Sequence, residues 1–175
     1  MVTELMPGVY WVGAVDWGIR TFHGHEYSTH RGTTYNAYLI VDDQIALVDT
    51  VWGPFTEELL ANIRQVVDPA RINYMVANHA EMDHSGGLPA VMRAAPGAQV
   101  LVSPRGAASV EGHYHEPWRF QAVRTGESVS LGQTSMVFIE APMLHWPDSM
   151  FTYLQGRALL MPNDAFGQHY ATAFR

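Results

Sequence analysis

A chain of 175 residues is long enough for one domain with a substantial core and too short for two ordinary ones. With 47% hydrophobic and 15% charged residues it falls among folded globular chains, away from disordered ones. A formal charge of −7, with only 10 Lys and Arg scattered along the chain, argues against nucleic acid as a partner. No apolar run approaches the ~18 residues of a membrane helix. The start, Met1-Val-Thr-Glu4, lacks the basic and apolar stretches of a signal peptide, so a cytoplasmic location is expected. Cysteine is absent, which excludes disulfides, thiolate metal sites and iron–sulfur clusters. Any metal must be held by imidazole nitrogen and carboxylate oxygen.

In chain order, Gly8 to Gly13 reads as a first strand, followed by a polar stretch without periodicity from Asp16 to Thr33, expected to be a long functional loop. Tyr35 to Val41 and Gln44 to Thr50 are β-rich runs joined at Asp42-Asp43, which reads as a hairpin. Leu59, Leu60, Ile63, Val66 and Val67 have helical spacing, giving a helix over Phe55 to Val67 with Pro54 in its first turn. Asn73 to Ala77 reads as a buried strand, Leu88 to Ala95 as a helix, Gln99 to Ser103 as a strand and Pro104 to Glu111 as a short helix. Strands are then expected near residues 120–123, 128–131, 134–140, 150–154 and 158–161. The class is mixed α and β.

The chemistry is concentrated in Asn78-His-Ala-Glu-Met-Asp-His-Ser-Gly-Gly87. His79, Glu81 and Asp83 stand at i, i+2 and i+4, so an extended backbone would point all three to one side. His84 comes where the glycines turn the chain, and can aim at a second point. Ligand-type residues this dense suit two adjacent metals, which in such sites lie roughly 3.5–4 Å apart, better than one. The competing reading is a polar turn held by salt bridges, but no Lys or Arg stands between Arg71 and Arg93. Bare carboxylates beside two imidazoles call for a cation.

This His-x-Glu-x-Asp-His loop resembles the signature of the flavodiiron proteins (A-type flavoproteins, the rubredoxin:oxygen/nitric oxide oxidoreductases). It is a variant of the His-x-His-x-Asp-His loop of metallo-β-lactamase-fold hydrolases. Glu81 in place of the second His adds charge and a harder donor, shifting preference from zinc towards iron. Ala141-Pro-Met-Leu-His-Trp-Pro-Asp-Ser-Met150 resembles the family's second ligand segment and Pro162-Asn-Asp-Ala-Phe-Gly-Gln-His169 its third. The stretch Asp16 to Gly24 and Arg31 to Ile40 resembles its N-terminal section.

The resemblance implies a metallo-β-lactamase-type αββα sandwich of the α+β class over residues 1–175, holding two non-haem iron ions. One iron would take His79, Glu81, His145 and Asp164. The other would take Asp83, His84, the shared Asp164 and a further His. Read without the family, His145 also fits a strand-end surface position, and Asp164 after Pro162-Asn163 fits a turn. The resemblance places His23 near the iron pocket as a catalytic residue that can hydrogen-bond the bound gas or its products; a solvated loop His is the alternative. Asp49 ends a strand where the fold places a carboxylate that orients a ligand His, or is an ordinary strand terminator. His25, His30, His113 and His115 read as surface residues.

The function so implied is reduction of dioxygen to water or of nitric oxide to nitrous oxide, in head-to-tail homodimers supplied with electrons by FMN and a rubredoxin-like donor. A binuclear zinc hydrolase and a catalytically silent fragment remain alternatives. The family's last ligand, a His well beyond Asp164, has no counterpart here, since His169 matches a non-ligand position. Nothing in the sequence resembles a phosphate-cradling FMN loop. A sandwich incomplete at its C-terminus, without the flavodoxin-like FMN domain, is therefore expected.

Overall fold

The computed structural model describes residues 2–22 and 24–173. His23, the expected catalytic residue, lies outside the described residues. The chain opens with β1 (Thr3–Met6), β2 (Val9–Trp11), β3 (Ala14–Asp16), β4 (Thr21–Phe22), β5 (Tyr27–Ser28), β6 (Thr33–Tyr35), β7 (Tyr38–Val41) and β8 (Ile45–Val48). There follow α1 (Thr56–Arg64), β9 (Ile72–Ala77), α2 (Met82–Ser85), α3 (Leu88–Ala94), β10 (Gln99–Val102) and α4 (Pro104–Tyr114). The last strands are β11 (Phe120–Ala122), β12 (Ser128–Ser130), β13 (Ser135–Glu140), β14 (Met150–Gln155) and β15 (Leu159–Pro162).

Two sheets form the frame. The larger has the order β1-β2-β7-β8-β9-β10-β11, antiparallel from β1 to β8 and parallel from β8 to β11; the smaller is the antiparallel set β12-β13-β14-β15. The central strands are apolar on both faces, as a sheet covered on both sides must be. Ile45, Leu47, Met75, Ala77, Val100 and Val102 pack with Leu59, Ile63, Leu88, Val91 and Val110 of the helices. The alternate residues Ala46, Val48, Val76 and Leu101 pack with Met136, Phe138, Met150, Leu154 and Met161 of the smaller sheet. This period of two builds helix, sheet and sheet in that order. Among the described residues no second helical layer covers the smaller sheet. None of the described helices is long and apolar enough to cross a membrane.

Three expectations need correction. The run from Gly8 to Gly13 holds the second strand, not the first, since β1 precedes it and pairs with it. The stretch from Asp16 to Thr33 is not simply a loop: it is bracketed by the pairing of β3 with β6 and contains the hairpin of β4 and β5. Ladders of two or three residues are too short to show periodicity. The helix expected to end at Glu111 continues to Tyr114, where His115 takes a left-handed φ of 52° and closes it.

A candidate metal centre at the strand ends

The centre forms where the parallel strands β8, β9 and β10 end and meet the smaller sheet. Asn78, directly after β9, fastens the two. Its N–H and side-chain amide donate to Asp49, which follows β8, at 2.8 and 3.3 Å, and the amide also donates to Met161 O of β15. Its Oδ1 accepts from Thr152 Oγ1, and its carbonyl accepts from Met150 N of β14. Every one of these buried polar groups finds a partner, so the loop that follows has a rigid base.

That loop is not extended throughout, contrary to the expectation that His79, Glu81 and Asp83 share one side. Glu81 keeps an extended backbone at ψ 147°, but Met82 begins the single turn α2. Ser85 N–H and Gly86 N–H donate back to the carbonyls of Glu81 and Met82. The turn rotates Asp83 away from His79 and Glu81 and onto the side of His84. Thr50 clamps the turn by donating from both its N–H and its hydroxyl to His84 O, each at 2.7 Å. Gly86 permits this approach, because a Cβ there would lie 2.5 Å from Met82 O and 2.6 Å from Gly53 N. Gly86→Ala is expected to destabilise the fold by about 1–3 kcal/mol, read as a lower thermal midpoint.

The donors gather into two groups. His79, Glu81, His145 and Asp164 each offer a ligand atom, and so do Asp83, His84 and Asp164, with the atoms of each group within 4.8 Å of one another. Glu81 Oε2 lies 3.2 Å from His79 Nε2 and 3.3 Å from His145 Nε2. Asp164 joins the groups, with Oδ2 3.3 Å from His145 Nε2 and Oδ1 2.9 Å from His84 Nε2. The turn after Pro162-Asn163 does exist, Asn163 accepting from Ala165 N, and it presents Asp164 to both sides. Asp83 Oδ1 and His84 Nδ1 are buried without a hydrogen-bond partner. Such atoms normally cost free energy; His84 Nδ1 faces Asp49, whereas Asp83 belongs to the second donor group, where hard oxygen and nitrogen donors fit a cation.

Electrostatics agrees. Burial opposes a charged His79, yet the hydrogen bonds it donates to Asp148 and Glu81 push it up to about 9. Burial likewise opposes a charged Asp164, but His84 beside it brings its carboxyl down to about 2. Burial raises Asp83. Protons on the imidazoles thus provide the positive charge that the carboxylates demand, the place a metal would take.

His145 sits on the turn from Ala141 to Ser149 with φ 113°, and Met143 two residues before it has φ 64°. A non-glycine residue in that region carries strain of order 1–3 kcal/mol. His145→Gly is expected to raise the thermal midpoint of the metal-free chain while weakening metal binding, which melting and metal titration on one sample would separate.

Sequence reasoning missed Asp148. It is 2% exposed, and its Oδ2 lies 3.0 Å from His79 Nδ1 and accepts from Ala80 N at 2.7 Å. It stood in the segment already singled out, but after Trp146-Pro147 it looks like a turn residue, and no spacing rule links it to His79. Asp49 Oδ2 lies 3.8 Å from His84 Nδ1, nearer an ion-pair than a hydrogen-bond distance. His113 is exposed, yet its Nδ1 meets Ala80 O at 3.1 Å. His169 pairs with Thr33 Oγ1 at 3.0 Å and stands in neither donor group. A polar cleft of about 200 Å³ reaches the centre between Thr33, Tyr35, Asn36 and Tyr38 on one side and Asn163 to His169 on the other.

Residues 33–174 match the family described as ODP family beta lactamase. The chain is 62% identical over 172 residues to a nitric oxide reductase of Moorella thermoacetica, an alignment covering 98% of this chain and 43% of that protein. It is 49% identical to an anaerobic nitric oxide reductase flavorubredoxin of Aeromonas hydrophila, covering 97% of this chain and 35% of the relative. Among solved structures, the rubredoxin oxygen:oxidoreductase of Desulfovibrio gigas superposes with a TM-score of 0.97 at 42% identity, over 100% of this chain and 44% of that one. The flavodiiron protein of Giardia intestinalis superposes with a TM-score of 0.95 at 39% identity, over 100% of this chain and 42% of that one. The chain thus spans less than half the length of these relatives.

Proposed function

Because the chain belongs to the ODP family of β-lactamase-like proteins, with the fold of the flavodiiron cores, we propose that it is the di-iron part of a reductase acting on nitric oxide or dioxygen. The observation that carries this is the pair of donor groups joined at Asp164, with Glu81 where a third imidazole would favour zinc. Two irons held there would supply redox-active positions for a small gas and pass electrons in pairs.

The chain's own residues set the conditions. His79, His84 and His145 offer nitrogen, while Glu81, Asp83 and Asp164 bring the negative charge that offsets two cations. The cleft of about 200 Å³ gives a small gas a route to the donor groups. At its wall Tyr35 donates to Asp16 Oδ2 at 3.1 Å, and burial beside that carboxylate raises its hydroxyl, which stays a neutral proton donor. FMN held outside residues 1–175, a rubredoxin-type donor, a homodimer and a cytoplasmic location belong to the same proposal.

The test is to load the chain with iron anaerobically, reduce it with an excess chemical reductant and follow nitric oxide and dioxygen with electrodes. Stoichiometric consumption of either gas that disappears in His79→Ala is the expected result. No consumption, together with hydrolysis of a chromogenic ester or β-lactam by the zinc-loaded chain, would overturn it.

A further inference from the structure

We propose that Asp148 is a positioning residue: it holds the His79 ring so that Nδ1 carries the proton and Nε2 faces the donor cluster. The inference rests on reading the cluster as a metal centre. A carboxylate oxygen only accepts, and Asp148 Oδ2 takes the N–H of Ala80 at 2.7 Å while standing 3.0 Å from His79 Nδ1. Nδ1 must therefore be the donor, which leaves Nε2, 3.2 Å from Glu81 Oε2, to act as a ligand atom.

The surroundings make this hold firm. His79 is 1% exposed and Asp148 2%, so water does not compete for either group. The Trp146 ring stands edge-on to the His79 ring at 5.1 Å and 76°, which opposes a ring flip. Ser103, the cap of α4, donates its hydroxyl to Asp148 O at 2.7 Å and so fixes the backbone that carries the carboxylate. Asp148 also follows His145 by three residues. One buried carboxylate thereby ties the first ligand loop to the turn that presents the ligand candidate of the second, and sets their relative position.

The test uses the full chain with Zn(II) as a diamagnetic probe titrated against a chromogenic chelator. Outer partners of metal-bound His residues typically contribute 10–100-fold in affinity, so Asp148→Ala is expected to bind about 100-fold more weakly. Asp148→Asn keeps an acceptor but not the charge, and is expected to bind about tenfold more weakly. In 15N-histidine spectra of the zinc-loaded protein, the Nδ1–H resonance of His79 persists in Asp148→Asn and is lost in Asp148→Ala. Asn62→Ala removes a buried amide that donates to the carbonyls of Val12 and Gly13, and is expected to lower the thermal midpoint with affinity unchanged.

Should Asp148→Ala not fold, Asp148→Asn decides alone. A folded Asp148→Asn with affinity within about twofold of the parent overturns the proposal. Survival of the Nδ1–H resonance in Asp148→Ala, or an equal affinity loss in Asn62→Ala, does so too. If the parent chain binds neither Zn(II) nor Fe(II), the metal reading fails and takes the role of Asp148 with it, a result distinct from loss of the Asp148 effect alone.

Discussion

Asp164→Ala is expected to remove metal from both donor groups at once, whereas Asp83→Ala empties only one. Asp164 is the residue common to the two sets, with Oδ2 facing His145 and Oδ1 facing His84. Deleting it takes one donor from each and removes the charge that offsets two cations. The loss should exceed the roughly 100-fold upper range for outer partners, because a direct donor is lost. Metal analysis after gel filtration would read it as less than one ion per chain. Asp164→Asn, of the same shape, should fall between the parent and alanine. Equal metal content in Asp164→Ala and Asp83→Ala would show that Asp164 does not serve both groups.

The second large effect is a loss of pH dependence on metal loading. In the metal-free chain His79 is held up at about 9, against an ordinary 6.5. A raised imidazole stabilises the fold fully below 6.5, and that stability is lost as pH climbs through about 9. Asp164, held down at about 2 against an ordinary 3.8, stabilises above 3.8 and loses its contribution as pH falls through about 2. The metal-free thermal midpoint should therefore decline from pH 6.5 to 9 through His79.

Metal must displace the same protons, so affinity should rise with pH by up to roughly tenfold per unit for each proton displaced. At a free concentration near 1,000 times Kd a bound ion adds about 4 kcal/mol. The gap in midpoint between loaded and metal-free protein should thus widen from pH 6.5 to 9. Calorimetric melts of both forms across that range check it, and a constant or narrowing gap would contradict a cluster whose protons give way to metal.

Much of this was legible in the sequence because it rests on periodicity. Leu59, Leu60 and Ile63 announced α1, and the apolar runs around Ile45, Met75 and Val100 announced a sheet buried on both faces. The density of ligand-type residues from His79 to His84 pointed to the segment where the donor groups gather. What escaped is set by tertiary contacts. The turn at Met82 depends on Thr50 gripping His84 O and on the room left by Gly86, neither of which a strand pattern contains. Asp148 meets His79 across 69 positions of sequence, a distance at which spacing carries no information. The hairpin of β4 and β5 is too short to show its register.

The central claim is that the imidazoles and carboxylates of three separate segments enclose two cations. Iron bound per folded chain, measured after anaerobic loading and removal of excess metal, tests it most directly. Two irons per chain in the parent, and loss of iron from the first group alone in a Glu81→Ala variant, are the predicted results. No bound iron in the folded parent, or unchanged iron in a variant lacking His79, Glu81 and Asp164 together, would contradict it.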